Sequence, residues 1–348
     1  MSQSLKMSKV EYKWIDVCKF IFAICVVAIH SFIFQGTKAE GWIMPLLLRV
    51  AVPYFFVASG FFLGLKCYKH GVYNGFTNWG GVFKRLIIKL LVFETVAIAL
   101  ASISIIYRNP SPLHFVLVTV KCIIFNPAGA LWYVNALIVA ILLLIPIIRR
   151  GKEVATFVVS IALYGFFLLF NRYYFLVEGT EFGVFVERTI YYISTLRNGL
   201  FVGLLFVGAG LLIAKYQHKV NGHLTLFTTV TVVAYAALIV ESWLLFDLPG
   251  IDDNAFCVSY IVFIPALFAT TILLPSPSIK CAATLRHLST SVYFMHPSIL
   301  RIVTLSSLAL TGNRPNGIVA FSIALCVIAV ICWLVYRKEK EPFYRWIV

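Results

Sequence analysis

The sequence contains repeated apolar runs that are each long enough to cross a lipid bilayer as a helix. About 20 consecutive apolar residues span the hydrocarbon core of a bilayer in helical form. Hydrophobic residues make up 61% of the 348 residues and charged residues only 12%, so no polar stretch is long enough to enclose a core of its own. The sequence therefore predicts an all-α integral membrane protein, a bundle of about ten transmembrane helices. The predicted spans are 15–35, 43–66, 86–107, 131–149, 154–170, 189–214, 224–246, 256–274, 285–308 and 316–336.

The distribution of basic residues predicts the orientation of these spans. With the N-terminus in the cytoplasm, eighteen Lys and Arg residues fall on the cytoplasmic side and six on the outer side. This is the positive-inside pattern, and it predicts that both termini are cytoplasmic. The formal charge of +15 is then explained by topology, with no need for a nucleic-acid partner. The predicted organisation is a cytoplasmic segment at 1–14, a transmembrane domain at 15–336 and a cytoplasmic tail at 337–348.

Two polar residues in the first span, Lys19 and His30, lie on one face of the predicted helix. Eleven steps of about 100° return a helix to nearly the same face, and the rise separates the two residues by roughly 16 Å. Ionisable groups inside a bilayer are costly and usually functional. We therefore expect a site that meets an anion at the inner end of the span and performs proton chemistry near the outer end. An alternative for Lys19 is a local ion pair with Asp16, three residues earlier.

A layer of ionisable residues is predicted in the outer half of the membrane. At about 1.5 Å per residue, five groups from five spans fall within a layer roughly 10 Å thick. Each would cost about 3 kcal/mol or more if it faced lipid alone, so they are expected to line one wet cavity that opens outward. The five residues are His30, Arg49, Arg197, Glu241 and His296.

Structural alternatives remain open for these residues. Arg49 has a possible ion-pair partner in Glu241. His296 precedes Pro297, so its ring has the alternative role of satisfying a backbone carbonyl that the proline leaves without a partner.

The predicted substrate-binding set also contains Asn198, Trp132 and Tyr133, beside Arg49 and Arg197. Arg197 and Asn198 are expected to clamp either two helices or a substrate. Trp132 and Tyr133 open the fourth span at the outer interface, where an aromatic belt is the alternative explanation.

A second basic group is predicted at the cytoplasmic edge, where Lys84, Arg85 and Lys89 surround the start of the third span near Lys19. Such groups bind phosphate through charge-assisted hydrogen bonds. No Gly-rich nucleotide-binding loop accompanies them, and Lys89 has a possible local partner in Glu94. The eight cysteines show no metal-ligand spacing, so no metal site is expected.

Several segments together resemble acyltransferase family 3, the integral-membrane acyltransferases that modify bacterial surface polysaccharides. The matching segments are YKWIDVCKFIFAICVVAIHS, LLRVAVPYFFVASGFFLG, FKRLIIK, GALWYVNALI, TLRNGLFVGLLFVGAGLLI and TSVYFMHPSIL. The resemblance covers about residues 11 to 340. The family pattern in the first span is Arg, ten residues, then His; here Lys19 takes the place of the arginine, so the spacing is kept and the bidentate guanidinium is not.

The resemblance implies an O-acyltransferase in the bacterial plasma membrane. Acyl-CoA, most simply acetyl-CoA, would be the cytosolic donor, with its phosphates on the inner basic group. The acceptor would be a hydroxyl of a cell-envelope glycan or a lipid-linked sugar. His30 would be the general base, Glu241 would orient it or share its proton, and His296, Arg49 or Arg197 would stabilise the oxyanion. A transient acyl-histidine is an alternative to general-base catalysis. The alternative is a multi-pass transporter of a small amino acid such as serine, or of an acylated metabolite.

Overall fold

The computed structural model describes residues 11–70, 84, 87–93, 95, 96, 99, 130–193, 195–251 and 256–336. Every regular element within these residues is a helix. Five helical stretches are long and apolar enough to cross a membrane: Lys38–Tyr68, Trp132–Arg149, Leu224–Leu244, Ala282–Thr311 and Gly317–Leu334. The prediction of an all-helical membrane protein is confirmed in this form, whereas the count of ten spans and their orientation stay predictions.

The helices are numbered in chain order, with π1 and π2 for two π-helical segments. They are α1 (Lys13–His30), α2 (Lys38–Ile43), π1 (Met44–Leu48), α3 (Ala51–His70), α4 (Trp132–Arg149), α5 (Glu153–Leu168), α6 (Glu181–Ile193), π2 (Gly199–Gly203), α7 (Leu204–Lys215), α8 (Gln217–Val220), α9 (Leu224–Leu244), α10 (Tyr260–Leu273), α11 (Ala282–Thr311) and α12 (Gly317–Tyr336).

The first helix ends at His30, five residues before the end of the predicted span 15–35. Phe32 has a φ of +57°, a left-handed conformation that stops a helix and is uncommon for a bulky residue. Gly317 packs against this turn so closely that a Cβ there would lie 2.4 Å from the Phe32 carbonyl oxygen. His30 therefore lies in the last turn of α1, next to carbonyl groups that favour positive charge.

The predicted continuous span 189–214 is wrong, because α6 ends at Ile193 and a new helical segment begins at Gly199. The Asn198 side chain accepts hydrogen bonds from the backbone N–H groups of Leu200 and Phe201. These donors have no partner at the start of a helix, so the asparagine starts the new segment. The predicted span bridged the polar residues Thr195, Arg197 and Asn198 because apolar residues lie on both sides of them.

Helices α3 and α7 form a close interface through small residues. A Cβ on Gly60 would lie 2.0 Å from the carbonyl oxygen of Val207, and a Cβ on Gly210 would lie 2.0 Å from that of Val57. Gly60 and Gly64 have the GxxxG spacing with which membrane helices bring their backbones together. The glycines therefore serve packing in both helices.

Helices α1 and α11 also pack along each other. At the N-terminal end of α1 the Asp16 carboxylate receives two hydrogen bonds from Arg286, at 2.8 and 2.7 Å. The guanidinium fork of α11 matches both carboxylate oxygens, and Lys19 stays within electrostatic reach of Asp16. At the C-terminal end of α1 the same two helices bring His30 and His296 together.

Candidate functional site

The centre of the site is a pair of histidine rings between α1 and α11. The ring centres of His30 and His296 lie 5.3 Å apart, with 33° between the ring planes. His30 is half-buried, whereas His296 is completely buried. Two histidines from distant parts of the sequence thus meet at one point of the bundle.

His30 lines a small cavity at the C-terminal end of α1. The cavity has a volume of about 20 Å³, enough for about one water molecule. Its walls come from the last turns of α1, the start of α3 and the residues that precede α4 and α10. The lining residues are Val26, Ile29, His30, Arg49, Val52, Ala130, Trp132 and Phe256.

Arg49 reaches this cavity because of an irregular turn between π1 and α3. Its backbone N–H donates to the Met44 carbonyl at 2.8 Å, the i to i−5 bond of a π-helix. Pro45 lies at the start of the segment. A π-helical turn shifts the direction of the following side chains, and such turns often occur at functional sites.

His296 is held in place by a backbone carbonyl that Pro297, inside α11, leaves without its helical donor. Proline has no N–H, so the carbonyl of Tyr293, four residues before it, lacks its helical donor. The Nδ1 atom of His296 lies 2.6 Å from this carbonyl oxygen. The Nδ1 atom of His296 therefore contacts the carbonyl freed by Pro297, as the structural alternative predicted. That alternative does not explain the second ring nitrogen, Nε2.

Arg197 lies in the break before π2 and contacts Trp132. Its guanidinium carbon is 5.6 Å from the centre of a Trp132 ring, a cation–π geometry. Its Nε donates to the hydroxyl of Thr195 at 2.9 Å. The structure thus connects Arg197 to the cavity wall through Trp132, whereas the adjacent Asn198 caps π2.

Tyr133 makes contacts within the bundle behind the cavity wall. Its hydroxyl lies 3.0 Å from the Ser59 hydroxyl and 3.3 Å from the Phe55 carbonyl oxygen. It joins α4 to α3 and is not among the described residues that line the cavity.

Glu241 holds the start of α10. Its carboxylate accepts hydrogen bonds from the backbone N–H groups of Val258 and Ser259 at 2.7 and 2.8 Å. It also accepts one from the Tyr173 hydroxyl at 2.7 Å. A carboxylate at a helix N-terminus is stabilised by the free N–H groups there. These contacts give Glu241 a capping geometry, and its predicted role beside His30 stays a prediction.

The structure describes part of the predicted inner basic group, namely Lys19, Lys84 and Lys89. Lys19 lies beside the Asp16–Arg286 pair, within electrostatic reach of both. Lys84 is exposed, and the Lys89 ammonium lies 6.0 Å from the Phe294 ring centre. Arg85 and Glu94 lie outside the described residues.

Sequence reasoning missed several residues that shape the site. Ala130 and Phe256 line the cavity from segments that precede helices, where no sequence pattern marks them. Val26 and Ile29 could have been predicted from the sequence, because they precede His30 by four and one residues on a helix. Tyr293 could also have been predicted, since a proline at 297 leaves the carbonyl four residues earlier without its donor.

Comparison with known proteins gives one family for nearly the whole chain. A family model described as an acyltransferase domain matches residues 12–337. A serine/alanine racemase of Enterococcus gallinarum is 27% identical over 343 residues, which cover 96% of this chain and 47% of the relative. An amino-acid racemase of Enterococcus faecalis is 25% identical over 351 residues, which cover 95% and 48%. The chain spans about half the length of these relatives.

No solved structure matches the chain significantly. The family match extends over α1, α3, α4, α7 and α11, and so includes His30, Arg49, Trp132 and His296. The chain therefore belongs to acyltransferase family 3, the family that its sequence segments resemble.

Proposed function

We propose that the protein is a membrane O-acyltransferase that moves an acyl group, most simply acetyl, from cytosolic acyl-CoA to a hydroxyl of a cell-envelope acceptor. The family supports a membrane acyltransferase. The donor, the acceptor and the roles of the residues are our proposal.

The donor would bind along α1. CoA combines anionic phosphates with a long, thin arm that ends in the thioester. Lys19, aided by Lys84, Arg85 and Lys89, would hold the phosphates at the cytoplasmic edge. The eleven residues from Lys19 to His30 correspond to about 16 Å of helix, a distance that an extended arm can follow.

The chemistry would take place at His30. Its ring accepts the proton of the acceptor hydroxyl as the oxygen attacks the thioester carbonyl, and later returns this proton to the leaving CoA thiolate. Arg49, on the same cavity wall, would stabilise the negative charge on the carbonyl oxygen. Arg197 would support Trp132 and the outer rim. The cavity holds about one water, so an acceptor sugar requires the walls to move apart.

The observation that carries the proposal is the shared cavity of His30, Arg49 and Trp132 at the C-terminal end of α1. The test uses purified protein in lipid nanodiscs with labelled acetyl-CoA and a hexose, an N-acetylhexosamine or L-serine as acceptor. His30→Ala should lower transfer by roughly 100-fold or more, because the general base is lost. The matched control is His223→Ala, an exposed histidine before α9, which should keep wild-type activity. Normal transfer by His30→Ala would refute the role of His30.

The transporter alternative has one supporting observation. The relatives are named as racemases of serine, alanine or other amino acids, so amino acids deserve testing as cargo. Counterflow of labelled serine in proteoliposomes without CoA, together with no acyl transfer, would favour this alternative.

A further inference from the structure

His296 has one buried ring nitrogen whose state the neighbouring Pro297 does not explain. Its Nδ1 lies 2.6 Å from the Tyr293 carbonyl oxygen. Its Nε2 is buried and has no hydrogen-bond partner among the described residues. Nearly all buried polar atoms in proteins have a partner, so an exception at a candidate site calls for a specific explanation.

The contact with the carbonyl determines which nitrogen of His296 carries the proton. A carbonyl oxygen only accepts hydrogen bonds, so the Nδ1 atom must be the donor. In the neutral ring the Nε2 atom is then an acceptor with an unused lone pair. An acceptor of this kind has nothing to offer a developing oxyanion, so it does not serve the predicted role of His296 in oxyanion stabilisation.

The adjacent ring supplies a donor during the reaction. His30 lies with its ring centre 5.3 Å from that of His296. A neutral histidine has one ring N–H, whereas the protonated ring has two. When His30 takes the acceptor proton on one ring nitrogen, the N–H on its other nitrogen becomes a charge-assisted donor, which bonds more strongly to an acceptor such as the unused Nε2 of His296.

We propose that His296 is a positioning residue whose Nε2 accepts a hydrogen bond from the ring nitrogen of His30 that does not take the acceptor proton, a bond that forms when protonation of His30 draws the two rings together. The inference rests on the proposed function and assigns a role to the second histidine. Because the bond forms as proton transfer proceeds, it stabilises the transition state and not the resting enzyme. His296 acts through His30, since it lies outside the cavity lining.

The proton balance needs no further reactant. The O–H bond of the acceptor breaks and an N–H bond forms on His30, while the acceptor oxygen bonds to the thioester carbon. When the carbon–sulfur bond breaks, the electron pair goes to the CoA sulfur, which takes the proton from His30. His296 keeps its Nδ1 proton throughout and only accepts a hydrogen bond at Nε2.

The kinetic test uses His296→Asn. The asparagine amide N–H can still donate to the Tyr293 carbonyl, but the side chain has no atom at the position of Nε2. We expect kcat for transfer from acetyl-CoA to the acceptor panel to fall roughly 10- to 100-fold, with the KM for acetyl-CoA unchanged. A purely structural role would leave kcat near wild type, because the bond to Tyr293 remains.

A double variant tests whether the two rings act together. In a His30→Ala background, His296→Asn should lower the residual rate no further, since the partner that it serves is gone. An unchanged kcat in His296→Asn, or an equal additional loss in the His30→Ala background, would overturn the proposal.

A measurement without turnover keeps this inference separate from the proposed function. In ¹⁵N-histidine NMR spectra at neutral pH, His296 should carry its proton on Nδ1. At acid pH, a hydrogen-bond coupling should appear between the ¹⁵N nuclei of the two rings. If the wild type transfers no acyl group, the proposed function fails, but these spectra still test the role of His296. A proton on Nε2 at neutral pH, or no coupling at acid pH, would reject the His296 role.

Discussion

At the scale of single residues, the chemistry of the site depends on where α1 stops. The left-handed Phe32 and the close approach of Gly317 end the helix directly after His30. This places the ring at the cavity and in the last turn of the helix. Lys19 lies about 16 Å below on the same helix. The two residues therefore define the ends of the proposed donor path.

The role of Lys19 predicts a selective loss of donor affinity. Lys19→Ala should raise the KM for acetyl-CoA roughly tenfold or more, because a charge-assisted bond to phosphate is lost. Lys19→Arg should retain most of the affinity. Acetyl-pantetheine, which lacks the nucleotide phosphates, is the control donor and should react equally with all three proteins. Equal KM values for acetyl-CoA in the wild type and both variants would remove Lys19 from the phosphate site.

At the scale of elements, the site depends on helices that are interrupted. Arg49 follows π1, and Arg197 precedes π2. Each interruption places an arginine near Trp132 or His30. The close contact of α3 with α7 keeps these two segments together, because glycines allow the backbones to meet.

The α3–α7 interface predicts a contrast between two glycine substitutions. Gly60→Ala would place a Cβ 2.0 Å from the Val207 carbonyl oxygen, so the free energy of unfolding should fall by about 1–3 kcal/mol. Gly165→Ala on α5 is the matched control, since nothing lies within 4 Å of its Cβ position. That variant should be as stable as wild type or gain about 0.5–1 kcal/mol from helix propensity. Thermal unfolding in detergent measures both, and equal stability of the two variants would contradict the interface.

The capping role of Asn198 predicts that its effects follow helix stability. Asn198→Ala should lower the free energy of unfolding by about 1 kcal/mol, because the N–H groups of Leu200 and Phe201 lose their acceptor. Asn198→Asp keeps an acceptor oxygen and should restore both stability and activity. If Asn198→Asp is as stable as wild type but inactive, the side chain contacts substrate, as the sequence suggested.

At the scale of the whole molecule, the sequence predicted the class and parts of the site. Apolar runs predicted the helices, and helical spacing placed Lys19 and His30 on one stripe. The location of Glu241 could not be predicted from the sequence, because its partners include the backbone N–H groups of residues 258 and 259, which have no sequence signature. The break before π2 could have been predicted, since Arg197, Asn198 and Gly199 are consecutive and asparagine is a preferred N-cap residue.

The predicted orientation of the molecule has a direct test. In a cysteine-free background, a cysteine at His223 should react with a membrane-impermeant maleimide only from the cytoplasmic side. A cysteine at Glu178 should react only from the outside. Both positions are exposed or half-buried in loops, so labelling is possible without disturbing the bundle. The reverse pattern would contradict the N-in/C-in orientation and the proposed side of donor entry.

The central claim is that acyl transfer crosses the protein from the Lys19 end of α1 to His30. The most direct measurement uses proteoliposomes of known orientation, with labelled acetyl-CoA on one side and the acceptor panel on the other. The account predicts acylated acceptor only when acetyl-CoA is on the Lys19 side, with a loss of roughly 100-fold or more in His30→Ala and none in His223→Ala. Transfer that proceeds equally from either side, or that persists in His30→Ala, would contradict it.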